Sequence, residues 1–113
     1  MSGTRPLRLI LDQTFNLGPG QEQDYGPFQS HPNGVMRVHS RAVPIHYVGA
    51  FDAPEYEAAR QRPGRFPFAI GTGKTNGHDL EYQTANWGQF YIVVRASGWN
   101  VGVWPYRVWV EYG

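Results

Sequence analysis

The last quarter of the chain combines a high density of aromatic residues with the alternation of a β-strand. Eight aromatic residues fall in two runs joined by a turn rich in glycine and asparagine: Trp87, Phe90, Tyr91, Trp99, Trp104, Tyr106, Trp109 and Tyr112. Successive side chains of a strand point to opposite faces, so each run has one predominantly apolar face. The pattern predicts a β-hairpin over residues 89–112 whose rings close a hydrophobic core.

Short extended segments separated by turn residues make up most of the preceding chain. In the first of them, Leu7, Leu9 and Leu11 are expected to share a buried face. Glycine and proline, at 14 and 9 residues, supply the turns of a many-stranded protein. We therefore predict an all-β fold, namely an antiparallel β-sandwich of jelly-roll or Greek-key type, with a small closed barrel as the alternative. The predicted strands cover residues 7–15, 24–29, 35–41, 44–51, 65–70 and 79–83.

One helical insertion interrupts the predicted strands. Asp52 is a capping residue, Pro54 suits a first helical turn, and Glu55 follows the cap by three residues. A short helix is predicted over about residues 53–61, because the Pro-Gly pair that follows cannot continue it. The chain is expected to form a single β-sandwich domain over residues 1–113.

Charge and composition restrict the classes of partner. Ten basic and nine acidic residues give a formal net charge of +1, so a broad electrostatic surface for nucleic acid is not expected. Cysteine is absent, which excludes disulfides and thiolate metal sites. No segment has the length of a transmembrane helix or the composition of a signal peptide, and the sequence indicates no particular compartment.

Segments that resemble catalytic or metal-binding motifs are incomplete. Residues 71–75 end like a phosphate-binding P-loop, but Phe68 occupies the position of its first glycine, and a turn follows where a helix is needed. The four histidines lack the spacing of metal ligands. The neighbours Ser30-His31 and His39-Ser40 lack the surroundings of a catalytic nucleophile. We therefore predict no enzyme, no metal site and no cofactor.

Basic residues cluster after the predicted helix. Arg60, Arg62 and Arg65 lie near Phe66 and Phe68 in sequence. Such a corner could contact phosphate or single-stranded nucleic acid, whereas basic side chains also complement the dipole at a helix end. Because charge is balanced over the rest of the chain, we favour a solvated helix end.

Two turns place a tryptophan beside an amide side chain, namely Asn86-Trp87-Gly88 and Gly98-Trp99-Asn100. An exposed indole can stack on a sugar that the amide also binds; a buried indole would plug an end of the core; a protein interface is a third use. The second run of the predicted hairpin adds two candidates on its outer face. The candidate ligand or interface residues are Trp87, Trp99, Asn86, Asn100, Trp109 and Arg107.

Residues 15–21, Phe-Asn-Leu-Gly-Pro-Gly-Gln, are followed by Tyr25; residues 88–95 read Gly-Gln-Phe-Tyr-Ile-Val-Val-Arg, and residues 105–110 read Pro-Tyr-Arg-Val-Trp-Val. These segments resemble the opening strand and the closing hairpin of the bacterial pre-peptidase C-terminal domain, a small β-sandwich appended to secreted enzymes. The resemblance implies a β-sandwich. The predicted helix and the loop at residues 71–77 replace an acidic strand of that family.

Aromatic side chains on a sheet provide packing surface and, where they face outward, binding surface. Nine of the ten basic residues are arginine, whose planar side chain suits fixed interfaces. We therefore expect a non-enzymatic structural or assembly protein that self-associates or binds a protein partner, such as a decoration, fibre or capsid-associated component of a virion. The alternatives are a carbohydrate-binding module that uses the tryptophan turns, and a small hydrolase.

Overall fold

The computed structural model describes residues 6–61 and 75–113. In this part of the chain, six strands and one helix follow one another, and every strand pair is antiparallel. The elements are β1 (Arg8–Leu17), β2 (Glu22–Gln29), β3 (Val35–Asp52), α1 (Ala53–Arg60), β4 (Thr75–Gln83), β5 (Gln89–Ala96) and β6 (Trp104–Tyr112).

The strands form one sheet in the order β1-β6-β3-β5-β2, with β4 also paired to β3. The first half of β3 has β6 on one edge and β4 on the other, and its second half pairs with β5. The sheet curls into a half-barrel around the apolar side chains of its concave face. The predicted all-β antiparallel fold with one short helix is confirmed, whereas a sandwich of jelly-roll or Greek-key topology is not.

The length of β3 corrects the prediction of two strands at residues 35–41 and 44–51. The chain stays extended for 18 residues, and the ladder is irregular between Arg41 and His46. Pro44 lies in this interval; it has no N–H group to donate, so a break in the ladder accommodates it at little cost. Because the two halves of β3 pair with different strands, the irregularity is where the sheet changes neighbours.

The predicted aromatic hairpin over residues 89–112 is wrong in its pairing. Both arms are strands, but β5 and β6 each pair with a different half of β3 instead of with each other. The faces agree with the alternation: Tyr91 and Trp109 point outward while the residues beside them are buried. Because β3 is long, β5 and β6 each pair with a different part of it, and they do not pair with each other as the two arms of a hairpin would.

The first strand also differs from its predicted face. Its register shifts between Leu9 and Leu11, as in a β-bulge, and a bulge moves the following side chains to the other face. Leu9 is consequently 59% exposed, while Ile10 and Leu11 pack against the core. The strict alternation from residue 7 onward therefore does not hold.

The core lies on the concave face, where β3, β5 and β6 meet. Every fully buried side chain there stabilises the fold by about 1.5–3 kcal/mol relative to exposure. Its largest members are Tyr106, Phe90, Met36 and Ile92, each with at most 1% exposure.

Helix α1 covers part of the convex face. Asp52 caps it by accepting a hydrogen bond from the backbone N–H of Glu55 at 2.9 Å, as the capping pattern predicts. Tyr56 stacks on Tyr91 of β5 with ring centroids 3.8 Å apart, and both belong to a small cluster centred on Phe51. In the described part of the chain, no helix is long and apolar enough to cross a membrane.

The start of β4 corrects another prediction. Residues 76–79 form part of this strand and not a turn, and Gly77 pairs with Arg41. A Cβ atom on Gly77 would come within 3.2 Å of the Arg41 side chain, so the glycine makes room for that arginine. The predicted strand 65–70, the P-loop-like glycines and the arginines 62 and 65 lie outside the described residues.

Candidate functional site

Exposed apolar side chains gather at one end of the half-barrel. The loop between β5 and β6 exposes Trp99 by 90%, Val101 by 85% and Val103 by 68%. The irregular middle of β3 adds Val43, which is 67% exposed, and the partly exposed Ile45. We call these five residues the apolar tip. No residue from 96 to 106 carries a charge, so the tip has an uncharged loop at its centre.

Hydrogen bonds attach the tip to the sheet. The side-chain amide of Asn100 donates to the carbonyl of Ile45 at 2.8 Å and to the hydroxyl of Tyr106 at 3.1 Å. These bonds join the loop to the middle of β3 and to the buried Tyr106 of β6. Asn100 thus positions Trp99 and leaves little of its amide for a ligand.

The loop is also held by bonds within itself. The backbone N–H of Trp99 donates to the Ser97 hydroxyl at 3.2 Å, and the indole N–H of Trp104 donates to the carbonyl of Val101 at 2.7 Å. Gly102 has a φ of 81°, a backbone conformation that favours glycine. A loop fixed in this way presents its apolar side chains without a large ordering cost on binding.

Trp87, the other turn tryptophan, lies at the opposite end of β5. It is half-buried and makes edge contacts with Tyr82 and Phe90, with ring centroids 5.8 and 6.2 Å apart. The eight residues of β5 separate the two turns by roughly 25 Å at a rise of about 3.3 Å per residue. Trp87 and Asn86 therefore do not share a site with Trp99 and Asn100, and Trp87 takes the position of a plug.

Trp109 and Arg107 lie together on the convex face. The guanidinium of Arg107 stacks over the indole at 4.4 Å, and that of Arg41 lies 5.3 Å from the same ring. His39, directly opposite Trp109 on β3, stacks on it at 5.0 Å. The face thus carries an aromatic ring surrounded by basic side chains.

Carboxylates pair these basic side chains. Asp12 accepts two hydrogen bonds from Arg107, at 3.0 and 2.9 Å, and this pairing holds the pKa of Asp12 below its usual range. His39 bridges Asp79 at 2.6 Å and Glu111 at 2.9 Å. The basic side chains of this surface are therefore paired with carboxylates, and the surface is not a strongly charged patch.

A serine and a histidine that sequence reasoning did not pair meet in the core. The Ser40 hydroxyl lies 2.8 Å from Nε2 of His46, and Nδ1 of His46 lies 3.1 Å from the carbonyl oxygen of Pro44. Neutral His46 donates from Nδ1 and accepts from Ser40. The exposures of Ser40 and His46 are 1% and 0%, so no substrate reaches the pair from outside.

The alternation of side chains along β3 is the sequence signal that predicts this pair. Residues 40 and 46 are an even number apart and so share a face of a continuous strand. Because the sequence predicted two separate strands on either side of residues 42–43, it did not predict that Ser40 and His46 share a face. His78 of β4 packs edge-on against His46 at 4.8 Å, and among the described residues no group of three metal-ligating side chains comes together.

Comparisons of the sequence with family models and with curated proteins give no relative for this chain. No family model matches it, and none of the curated proteins matches its sequence. The resemblance to the pre-peptidase C-terminal domain therefore stays a prediction.

Proposed function

We propose that this protein is a non-enzymatic assembly module that associates with a second copy of itself through the apolar tip. The observation that carries the proposal is the exposure of Trp99, Val101 and Val103 on a loop that hydrogen bonds hold in place. Single exposed apolar residues are common on protein surfaces, but a contiguous group marks an interaction site.

A second copy is the partner whose chemistry fits the tip. In a two-fold contact the same surface meets itself, so the uncharged loop of one copy would lie on the uncharged loop of the other. No charge of the loop would be buried without a partner. Tryptophan at the centre of such a contact is typical of the residues that dominate binding energy, and arginines at its edge suit the rim.

Measurement of mass in solution over a concentration series tests this proposal. We expect a dimer or larger oligomer for the natural sequence and a monomer for the double variant Trp99→Ser, Val101→Ser. Losing one dominant tryptophan typically costs about 2 kcal/mol or more, which raises the dissociation constant by about thirtyfold. A natural protein that stays monomeric at every concentration contradicts self-association.

Leu9→Ser is the matched control. Leu9 is 59% exposed but lies at the end of the sheet away from the tip, since it pairs with Glu111 and not with the start of β6. Its substitution removes an exposed aliphatic side chain of about the size of Val101 and should leave the mass unchanged. Equal loss of assembly in both variants would indicate a general solubility effect and contradict the proposed interface.

A carbohydrate-binding surface is the second candidate, favoured by the exposed ring of Trp99. A titration of tryptophan fluorescence with a panel of glycans, repeated on Trp99→Ala, distinguishes it from assembly. A response that disappears in the variant, from a protein that stays monomeric, would replace self-association by sugar binding. The Ser40–His46 pair gives no comparable support to a hydrolase because both residues are buried.

A further inference from the structure

A groove of about 510 Å³ lies beside the apolar tip, where β1, β3, β4 and β6 come together. The groove is shallow and open to solvent, and its volume falls within the range of small-molecule sites. Four polar side chains and four apolar residues line it. The polar residues are Thr14, Arg41, Asn76 and Arg107; the apolar part consists of Ala42, Val43, Pro105 and Tyr106.

The two arginines of the groove lie directly opposite each other on neighbouring strands, since Arg41 of β3 pairs with Arg107 of β6. Like charges in this position repel, so the arrangement needs compensation. Asp79 and Asp12, which supply it, are not among the groove-lining residues. The described lining of the groove therefore contains two guanidinium groups and no carboxylate, and each guanidinium is ion-paired with an aspartate outside the lining.

The guanidinium groups are held before any ligand arrives. Nη2 of Arg41 donates to both oxygens of Asp79 at 3.1 and 3.0 Å, and its Nη1 donates to the carbonyls of Ser40 and His78. Arg107 is fixed through Nε and Nη2, which donate to Asp12. Within the described part of the chain, Nη1 of Arg107 and Nε of Arg41 have no hydrogen-bond acceptor, so donors remain for a ligand.

We propose that this groove binds a small ligand in which an oxyanion, a carboxylate or a phosphate, is attached to an apolar body. The oxyanion accepts from Arg41 and Arg107, with the Thr14 hydroxyl and the Asn76 amide as further donors. The apolar body lies against Ala42, Val43 and Pro105. This site shares Val43 with the apolar tip but does not include Trp99, Val101 or Val103, on which the proposed interface is based, so the failure of one proposal leaves the other standing.

Four probes test the chemistry: benzoate, phenyl phosphate, inorganic phosphate and benzyl alcohol, each titrated into the ¹⁵N-labelled full chain at low salt. We expect benzoate or phenyl phosphate to shift the amide resonances of the groove-lining residues. The tighter of the two identifies the oxyanion. Inorganic phosphate should bind more weakly because it lacks the apolar body, and benzyl alcohol because it lacks the charge. Equal binding of benzyl alcohol, or no binding of either aromatic anion, overturns the proposal.

Variants of exposed groove residues test the location without removing an arginine. Asn76→Asp changes no volume but places a negative charge in the groove, and should weaken binding of the better probe by about tenfold or more, the equivalent of one hydrogen bond to a charged group. Thr14→Val removes one donor and should weaken it less. Arg37→Gln is the control, since Arg37 lies on the same face of β3 but pairs with Glu81 outside the groove. Binding that Asn76→Asp leaves unchanged, or that Arg37→Gln weakens equally, rules out this site.

Discussion

His46 couples the stability of the protein to pH through its burial. Its side chain faces Ser40 on its own strand, His78 on β4 and Tyr106 on β6. Burial lowers the pKa of His46 to about 4, and the pKa of His78 is lowered as well. Between about pH 6.5 and pH 4, His46 is therefore protonated in the unfolded chain but not in the folded chain. Its contribution to the free energy of unfolding consequently decreases as the pH falls.

We expect His46 to remove about 3 kcal/mol from the free energy of unfolding over this interval, with a further loss from His78. Urea unfolding at pH 7, 5.5 and 4, followed by circular dichroism, measures the decrease. In His46→Phe the pH dependence should be smaller, because only His78 of the two buried rings remains. A pH dependence in His46→Phe equal to that of the natural protein would show that the His46 imidazole is not excluded from protonation in the folded state.

The bond between Ser40 and His46 gives a second prediction for single residues. Ser40→Ala leaves Nε2 of the buried imidazole without its donor, which should cost about 1–3 kcal/mol. In the double variant Ser40→Ala, His46→Phe both polar groups are gone, and the loss should be smaller than the sum of the two single losses. Unfolding free energies of the four proteins test this; additive losses would mean that the two side chains do not interact.

At the scale of the elements, α1 depends on its cap and on its contact with the sheet. An isolated helix of eight residues is not stable in water, so its contacts with the sheet hold it: Tyr56 packs on Tyr91, and Tyr56 and Arg60 both bond to Asp24 of β2. Asp52→Ala removes the acceptor for the Glu55 N–H and should lower the unfolding free energy by about 1 kcal/mol. Asp52→Asn should restore most of it. Glu57→Ala, an exposed site on the same helix, should change stability little, and an equal loss there would contradict the role of the cap.

Local signals explain which elements could be predicted from sequence. The cap at Asp52 and the alternation of β5 and β6 depend on neighbouring residues, and the structure contains them. The continuity of β3 through Pro44 depends on which strands pair with it, and the pairing of β5 and β6 with β3 is equally non-local. For this reason the strands could be predicted better than the sheet order. Asn76 and Gly77 favour a turn by composition, and pairing with β3 overrides that preference.

The candidate site was predictable only in part for a similar reason. Trp87 and Trp99 each lie between an asparagine and a glycine, so their sequence neighbours do not distinguish a plug from an exposed ring. What distinguishes them is the sheet around each turn: aromatic neighbours contact Trp87, while Trp99 projects from a loop. The Arg41–Arg107 pairing likewise joins two distant strands and has no local signal.

At the scale of the whole molecule, the two ends of the half-barrel differ in the burial of their tryptophans, and substituting one tryptophan at each end tests whether they also differ in role. Trp87→Ala removes a half-buried ring from its contacts with Tyr82 and Phe90, which should cost about 2 kcal/mol, less than a fully buried tryptophan. Trp99→Ala removes a ring that is 90% exposed and should change the unfolding free energy by less than about 0.5 kcal/mol.

Urea unfolding at a protein concentration where both variants are monomeric measures these effects, with circular dichroism as the signal because each variant alters tryptophan fluorescence. Mass in solution, measured on the same samples at higher concentration, should change in the opposite order: Trp99→Ala loses assembly and Trp87→Ala retains it. A stability loss in Trp99→Ala as large as that in Trp87→Ala would mean that the ring is part of the core. The tip would then be a second plug, and an interface between copies would have to lie on the Trp109 face.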